Sequence, residues 1–244
     1  MRPLLDLRSF LDTRGGVITM IIGALLTLGA EAIGGLAQPW LMPDAAVTAY
    51  GPLIAATLPL TVVLPVLAVL MIASDWSNQS IQTTFLHRPH RGAVLGSKVI
   101  ATLLLSIIQL LVAIAGIFAF TAIGGIISSH GADYSSLADS TASPLVQLAA
   151  SLAFGIAMAC LLQSTALALI ASIAVPFVVG TISSLVTVFG GETVQHLVAL
   201  VDLSTASILL VDGGFGRWNA GAFVIMLLLP LVAGTLRWRS REIA

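Results

Sequence analysis

The chain has 244 residues, 58% of them apolar and only 9% charged, with a mean hydropathy of +1.06. Soluble domains carry about 25% charge, so most of this surface faces lipid and the class is an all-α polytopic membrane protein. A net charge of -1 and a pI near 6.4 give no concentrated basic surface for nucleic acid, and the single Cys160 excludes an internal disulfide or a CxxC-type metal site.

In chain order, residues 1–15 place Leu4, Leu7 and Leu11 at helical spacing with Phe10 beside them, which predicts a short helix lying in the membrane interface. A first span follows over 16–38. Its basic flank and the GLA before Gln38 resemble a signal peptide, but Glu31 interrupts the apolar run and the span is read as retained. Glu31 lies near the outer end of its helix, and two readings stand: it lines a substrate path or pairs with a neighbouring helix, or it is a boundary residue reaching headgroup water.

The second span covers 53–73, where Pro59 and Pro65 predict kinks, and the third 99–127. Between them, 74–98 (SDWSNQSIQTTFLHRPHRGAVLGSK) starts on Ser74 and Asp75, runs through Trp76, Ile81 and Phe85, and meets Pro89 after Arg88. This predicts a cytosolic helix and a basic turn, with an uncharged polar face suited to protein docking. Residues 144–189 hold two spans, 144–163 and 166–189, parted at LLQST (Leu161–Thr165), with Pro176 in the second. In 190–217, Val194, Leu197, Val198 and Val201 follow helical spacing, Ser204 is the expected cap of a second short helix, and Asp212-Gly213-Gly214 ends it. The segment is too apolar for a water-exposed loop, so a re-entrant outer hairpin is expected before the sixth span at 219–236.

Arg2, Arg8, Arg14, Arg88, Arg91, Lys98, Arg237, Arg239 and Arg241 fall on one side of this six-span path, whereas the other side carries Asp44, Asp133, Asp139, Glu192, Asp202 and Asp212 against Arg217 alone. Basic loops stay cytoplasmic, which places both termini in the cytoplasm. Arg outnumbers Lys nine to one, which points to a bacterial plasma membrane.

With these elements in place the chain resembles a permease subunit of the ABC-2 class of ABC transporters. The resemblance covers nearly the whole chain, and its local signature is the 74–98 segment, where Asp75 stands at the family's usual Glu and Thr83, Thr84, Pro89, Arg91 and Lys98 match. It implies that this segment is the coupling helix, in which Asp75, Trp76, Ile81, Thr83, Thr84, Phe85, Arg88, Pro89, Arg91 and Lys98 serve the ATPase contact. Implied partners are two copies of a separate ATPase subunit, which hold ATP and Mg, and a second copy of this chain or a homologous permease. The chain itself lacks a phosphate-binding loop, since GAVLGSKV (Gly92–Val99) is not in the Gly-Lys-Ser/Thr order that cradles phosphate. No cofactor, metal or catalytic residue is expected on this chain.

With few charges in the spans, a pathway at a dimer interface is expected to be apolar and hydroxyl-lined, from Thr27, Ser106, Thr121 and Ser172 with Glu31. The cargo is then a lipophilic or amphipathic molecule (drug, peptide or lipid-like); that it is exported is implied by the resemblance alone. The competing classes are a membrane-embedded enzyme, which needs a Ser with a buried His or paired intramembrane carboxylates, and an ion-coupled secondary transporter, for which Glu31 is the one candidate ionisable group. His87, His90, His130 and His196 lack metal-ligand spacing and read as loop residues.

Overall fold

The computed structural model describes residues 3–77 and 91–240, and among these six helices are long and apolar enough to cross a membrane. A short α1 (Pro3–Leu11) precedes α2 (Arg14–Leu36) and the single turn α3 (Gln38–Leu41). Then come α4 (Tyr50–Ser77), α5 (Arg91–Ser128), the turn α6 (Leu137–Ser140), α7 (Ala142–Leu162) and α8 (Thr165–Phe189). Two short helices, α9 (Glu192–Ala199) and α10 (Leu203–Asp212), meet at a 95° bend, and counting that pair as one span would raise six to seven. The last crossing is α11 (Arg217–Ala222), a π-helical stretch Phe223–Leu228, and α12 (Leu229–Ser240).

Local chemistry sets the breaks. Thr13 starts α2 by accepting the Gly16 N–H at 3.0 Å. Gln163 takes a left-handed conformation (φ 51°) and ends α7, and the chain turns back into α8 two residues later. Asp202, not Ser204, caps α10: it accepts the Thr205 N–H at 3.0 Å and the Thr205 hydroxyl at 2.7 Å. The carboxylate fills two donors of that first turn, which a serine hydroxyl one residue inside the helix cannot do. Gly213, at φ 85°, ends α10. Helix α4 runs unbroken through Pro59 and Pro65.

At the centre stands α4, packed against α2, α5, α7 and α8. Lipid gives no hydrophobic drive for helix pairing, so small residues must let backbones approach. Gly34 lies over the Gly51 carbonyl, Gly155 over Pro65, and Gly35 over the Phe120 carbonyl, so a Cβ added at any of them would fall within 2.9 Å of backbone. These crossings also fix direction. Gly23 meets Gln109 and Gly35 meets Phe120, so α2 and α5 run parallel; Gly155 meets Pro65 and Ser151 donates to the Thr61 carbonyl at 2.8 Å, so α4 and α7 do too. Gly34 against Gly51 and Gly23 against Val63 make α2 and α4 antiparallel.

The path therefore alternates between two ends. At the terminal end, Asp6 of α1 accepts the Ser97 hydroxyl of α5 and Trp238 of α12 donates to the Arg91 carbonyl at 3.1 Å, so both chain ends sit beside the start of α5. At the opposite, loop end, Val47–Thr48 (β1) pairs in parallel with Ala132–Asp133 (β2). The Gln38 side chain grips the first strand, accepting from the Thr48 N–H at 2.9 Å and donating to the Thr48 and Gly34 carbonyls at 2.9 and 2.8 Å. There the Ser135 backbone N–H, and after it the Ser135 side chain, hold the exposed Asp133 carboxyl below the usual carboxylate range.

Candidate functional site

The residues assigned to coupling divide in two. Ile81, Thr83, Thr84, Phe85, Arg88 and Pro89 lie outside the described residues. Asp75, Trp76, Arg91 and Lys98 flank them, and the structure draws all four into one cluster at the terminal end.

Lys98, 5% exposed, pairs with Asp75 at 2.8 Å and donates to the Met71 carbonyl at 2.9 Å. A buried ammonium is tolerated only where a charge and hydrogen bonds replace its water, and α4 supplies both. The resemblance sets Lys98 at the ATPase contact, whereas here it meets groups of its own chain. It lies inside α5, which begins at Arg91 rather than at 99, and its charge is spent within the chain. Trp76 likewise packs inward: its ring meets that of the fully buried Trp238 edge-on, centroids 5.3 Å apart, instead of projecting towards a partner. Beside them Thr165, at the start of α8, donates its N–H to the Ser77 hydroxyl at 2.8 Å, and Arg237 donates to the Leu161 carbonyl of α7 at 2.8 Å. The two ends of the 78–90 segment are therefore tied directly to α8 and α12, and α12 is tied in turn to α7.

The pathway residues do not converge. Thr27, Ser106 and Thr121 are buried within the chain, and each hydroxyl donates to the carbonyl four residues before it, at 2.7–2.9 Å. Glu31 is fully buried, which overturns its reading as a boundary residue in headgroup water. One turn beyond it α2 and α5 close together at Gly35 and Gly124, and its carboxyl rests on Gly116. Neither carboxyl oxygen has a hydrogen-bond partner among the described residues, and a Cβ at Gly116 would clash with it. Thr27, Glu31, Ser106 and Thr121 are all shut in among the described residues, where small residues draw α2 against α5. Ser172 alone lines a cavity, on the far side of α4.

That cavity, about 230 Å³, lies between α4, α7, α8 and α10. It shares Leu58, Thr61 and Gln147 with a wider cleft of about 520 Å³ whose walls include Asp139 and Asp212 at the loop end. Sequence reasoning missed Gln147, Asp202 and this enclosure, because their neighbours come from four helices with no common spacing. It also missed Trp238, whose signal was an aromatic set between Arg237 and Arg239 at a helix end. Elsewhere His196 stacks on Trp218 (5.1 Å), over which Arg217 also lies, and among the described residues no group of three His, Cys, Asp or Glu converges.

No protein-family model, no curated protein and no solved structure matches the chain.

Proposed function

We propose that this chain is the membrane subunit of an ATP-driven transporter of the ABC-2 permease class, paired with a second copy or a related permease and driven by two separate ATPase subunits that hold ATP and Mg. The observation that carries this reading is the cluster at the terminal end. A docking segment transmits force only where its ends bear on the elements that must move. Here 78–90 leaves from Asp75, Trp76 and Ser77 and returns at Arg91, and those residues with Lys98 join α4 to α5 and both to α8 and α12. The charge distribution supports a cytoplasmic terminal end.

On this reading α1 lies in the interface, since Leu4 and Leu11 are exposed while Phe10 is buried. The bent α9–α10 pair enters the outer leaflet and returns, with α10 seated on α7 as a re-entrant element requires. The apolar α8 and the last crossing are mostly unburied within one chain, which leaves them for lipid and for the second copy. Co-expression with a candidate ATPase chain and affinity purification tests the reading. The wild type should retain the ATPase, and Ile81→Asp should release it while the chain stays folded.

One observation favours a second reading, ion-coupled transport: the fully buried Glu31 carboxyl with both oxygens unpartnered. Glu31→Gln separates the two, since ATP-driven transport survives it and proton-driven transport does not.

A further inference from the structure

The paired cavities beside Ser172 divide their chemistry along their length. In the deeper one the polar groups are largely committed within the chain. Ser172 and Ser207 donate to the Leu169 and Leu203 carbonyls at 3.1 and 2.7 Å, Ser151 donates to the Thr61 carbonyl, and Asp202 is occupied as the cap of α10. The remaining wall is Phe154, Phe177, Ile173 and Met226, with Pro176 behind them. Such a wall receives an apolar body and offers it few hydrogen bonds, the exceptions being the Gln147 amide and the Ser204 hydroxyl, which have no partner among the described residues.

The outer cleft is different. Tyr50 stands there with the exposed carboxylates Asp139 and Asp212, and no basic residue lines either cavity. An aromatic face beside two uncompensated carboxylates attracts a cation. The surrounding loop end adds to this field, since it carries six carboxylates (Asp44, Asp133, Asp139, Glu192, Asp202, Asp212) against Arg217. The two volumes meet at Gln147, so one molecule with a charged head and a bulky apolar body spans both.

We propose that this enclosure is a binding site for monovalent lipophilic cations, with the apolar body between Phe154 and Phe177 and the positive head between Tyr50, Asp139 and Asp212. This names a substrate class for the transport reading and rests on it only for the consequence of binding; the site itself lies within a single chain. Anions of the same size and shape are excluded by the carboxylates, and small hydrated cations by the apolar depth, which cannot replace their water.

The test uses a matched pair of probes, tetraphenylphosphonium and tetraphenylborate, which share shape and differ in sign. Binding is measured on the full chain in phosphatidylcholine nanodiscs, with empty nanodiscs as the blank. The expected result is saturable phosphonium binding, with the borate at least about tenfold weaker. The surface variant Asp139→Asn/Asp212→Asn should lose about tenfold in phosphonium affinity, roughly threefold per carboxylate, together with most of its salt dependence. Gln147→Trp, which removes no hydrogen bond and fills the junction, should abolish binding. Equal or tighter binding of the borate, an unchanged double variant, or no saturable phosphonium binding would each overturn the proposal. Because the measurement needs no ATPase, failure to capture an ATPase leaves its outcome standing, and its own failure leaves the coupling test standing.

Discussion

If the terminal-end cluster is a structural tie, removing one member of its ion pair must cost more than removing both. Lys98→Met deletes the ammonium that meets Asp75 at 2.8 Å and the Met71 carbonyl at 2.9 Å, leaving the carboxylate without its cation at the base of α4. Breaking a buried pair costs about 3–5 kcal/mol. Asp75 keeps 26% of its side-chain surface exposed, so water takes back part of that penalty and about 2 kcal/mol is expected. Asp75→Asn strands the ammonium, which is 5% exposed, and should cost at least as much. The double variant removes both charges and keeps an amide and an apolar chain in their places, so it should cost no more than either single change. A double-mutant cycle read by denaturant titration in mixed micelles then yields a coupling of about 2 kcal/mol. Additivity of the two single changes to within about 0.5 kcal/mol would refute the tie.

Trp238→Ala empties a fully buried site, loses the edge-on contact with Trp76 and removes one donor to the Arg91 carbonyl, so a loss of about 3–5 kcal/mol is expected in the same titration, with Trp238→Phe recovering part of it. Gly116→Ala drives a methyl into the Glu31 carboxyl and to 2.6 Å from Leu28, at a cost of about 1–3 kcal/mol; adding Glu31→Ala should recover the part of that loss due to the carboxyl, and no rescue would mean that the two do not pack as described. Glu31→Leu should leave stability unchanged or raised, because it replaces a buried carboxyl with no partner; a fall of more than about 1 kcal/mol would reveal an interaction absent from this account. Cysteines at Ser77 and at Gly213, in a Cys160-free background, should label from opposite sides of the membrane, since these residues sit at opposite ends of the bundle.

The six spans were legible because apolar length is a property of the sequence alone: roughly 20 residues must cover the hydrocarbon core wherever they pack. The break at Gln163 was legible too, because Gln163, Ser164 and Thr165 interrupt an otherwise apolar run. What the sequence left open depends on pairs far apart in the chain. Asp75 and Lys98 both stood in the 74–98 motif, yet nothing in their spacing says that they meet, since the answer depends on how α4 and α5 converge. Glu31 looked peripheral by its position in α2, and only the close crossing at Gly35 and Gly124 buries it. The β1–β2 pair is two residues long on each side and held by Gln38, too short for any alternation to register. The π-helical turn at Phe223–Leu228 has no compositional mark among FVIMLL, and the cavity beside Ser172 is a gap between four helices that no single one encodes.

The central claim is that residues 78–90 form the contact through which a separate ATPase drives this bundle. Its most direct test is site-specific photo-crosslinking from position 81 in the complex reconstituted with the candidate ATPase, together with ATP hydrolysis measured for the wild type and for Ile81→Asp. The account predicts a crosslink from position 81 to the ATPase chain, none from Leu58 on the bundle's side, and loss of cargo-stimulated hydrolysis in Ile81→Asp. Intact assembly and unchanged stimulated hydrolysis in Ile81→Asp, with no crosslink from position 81, would contradict it.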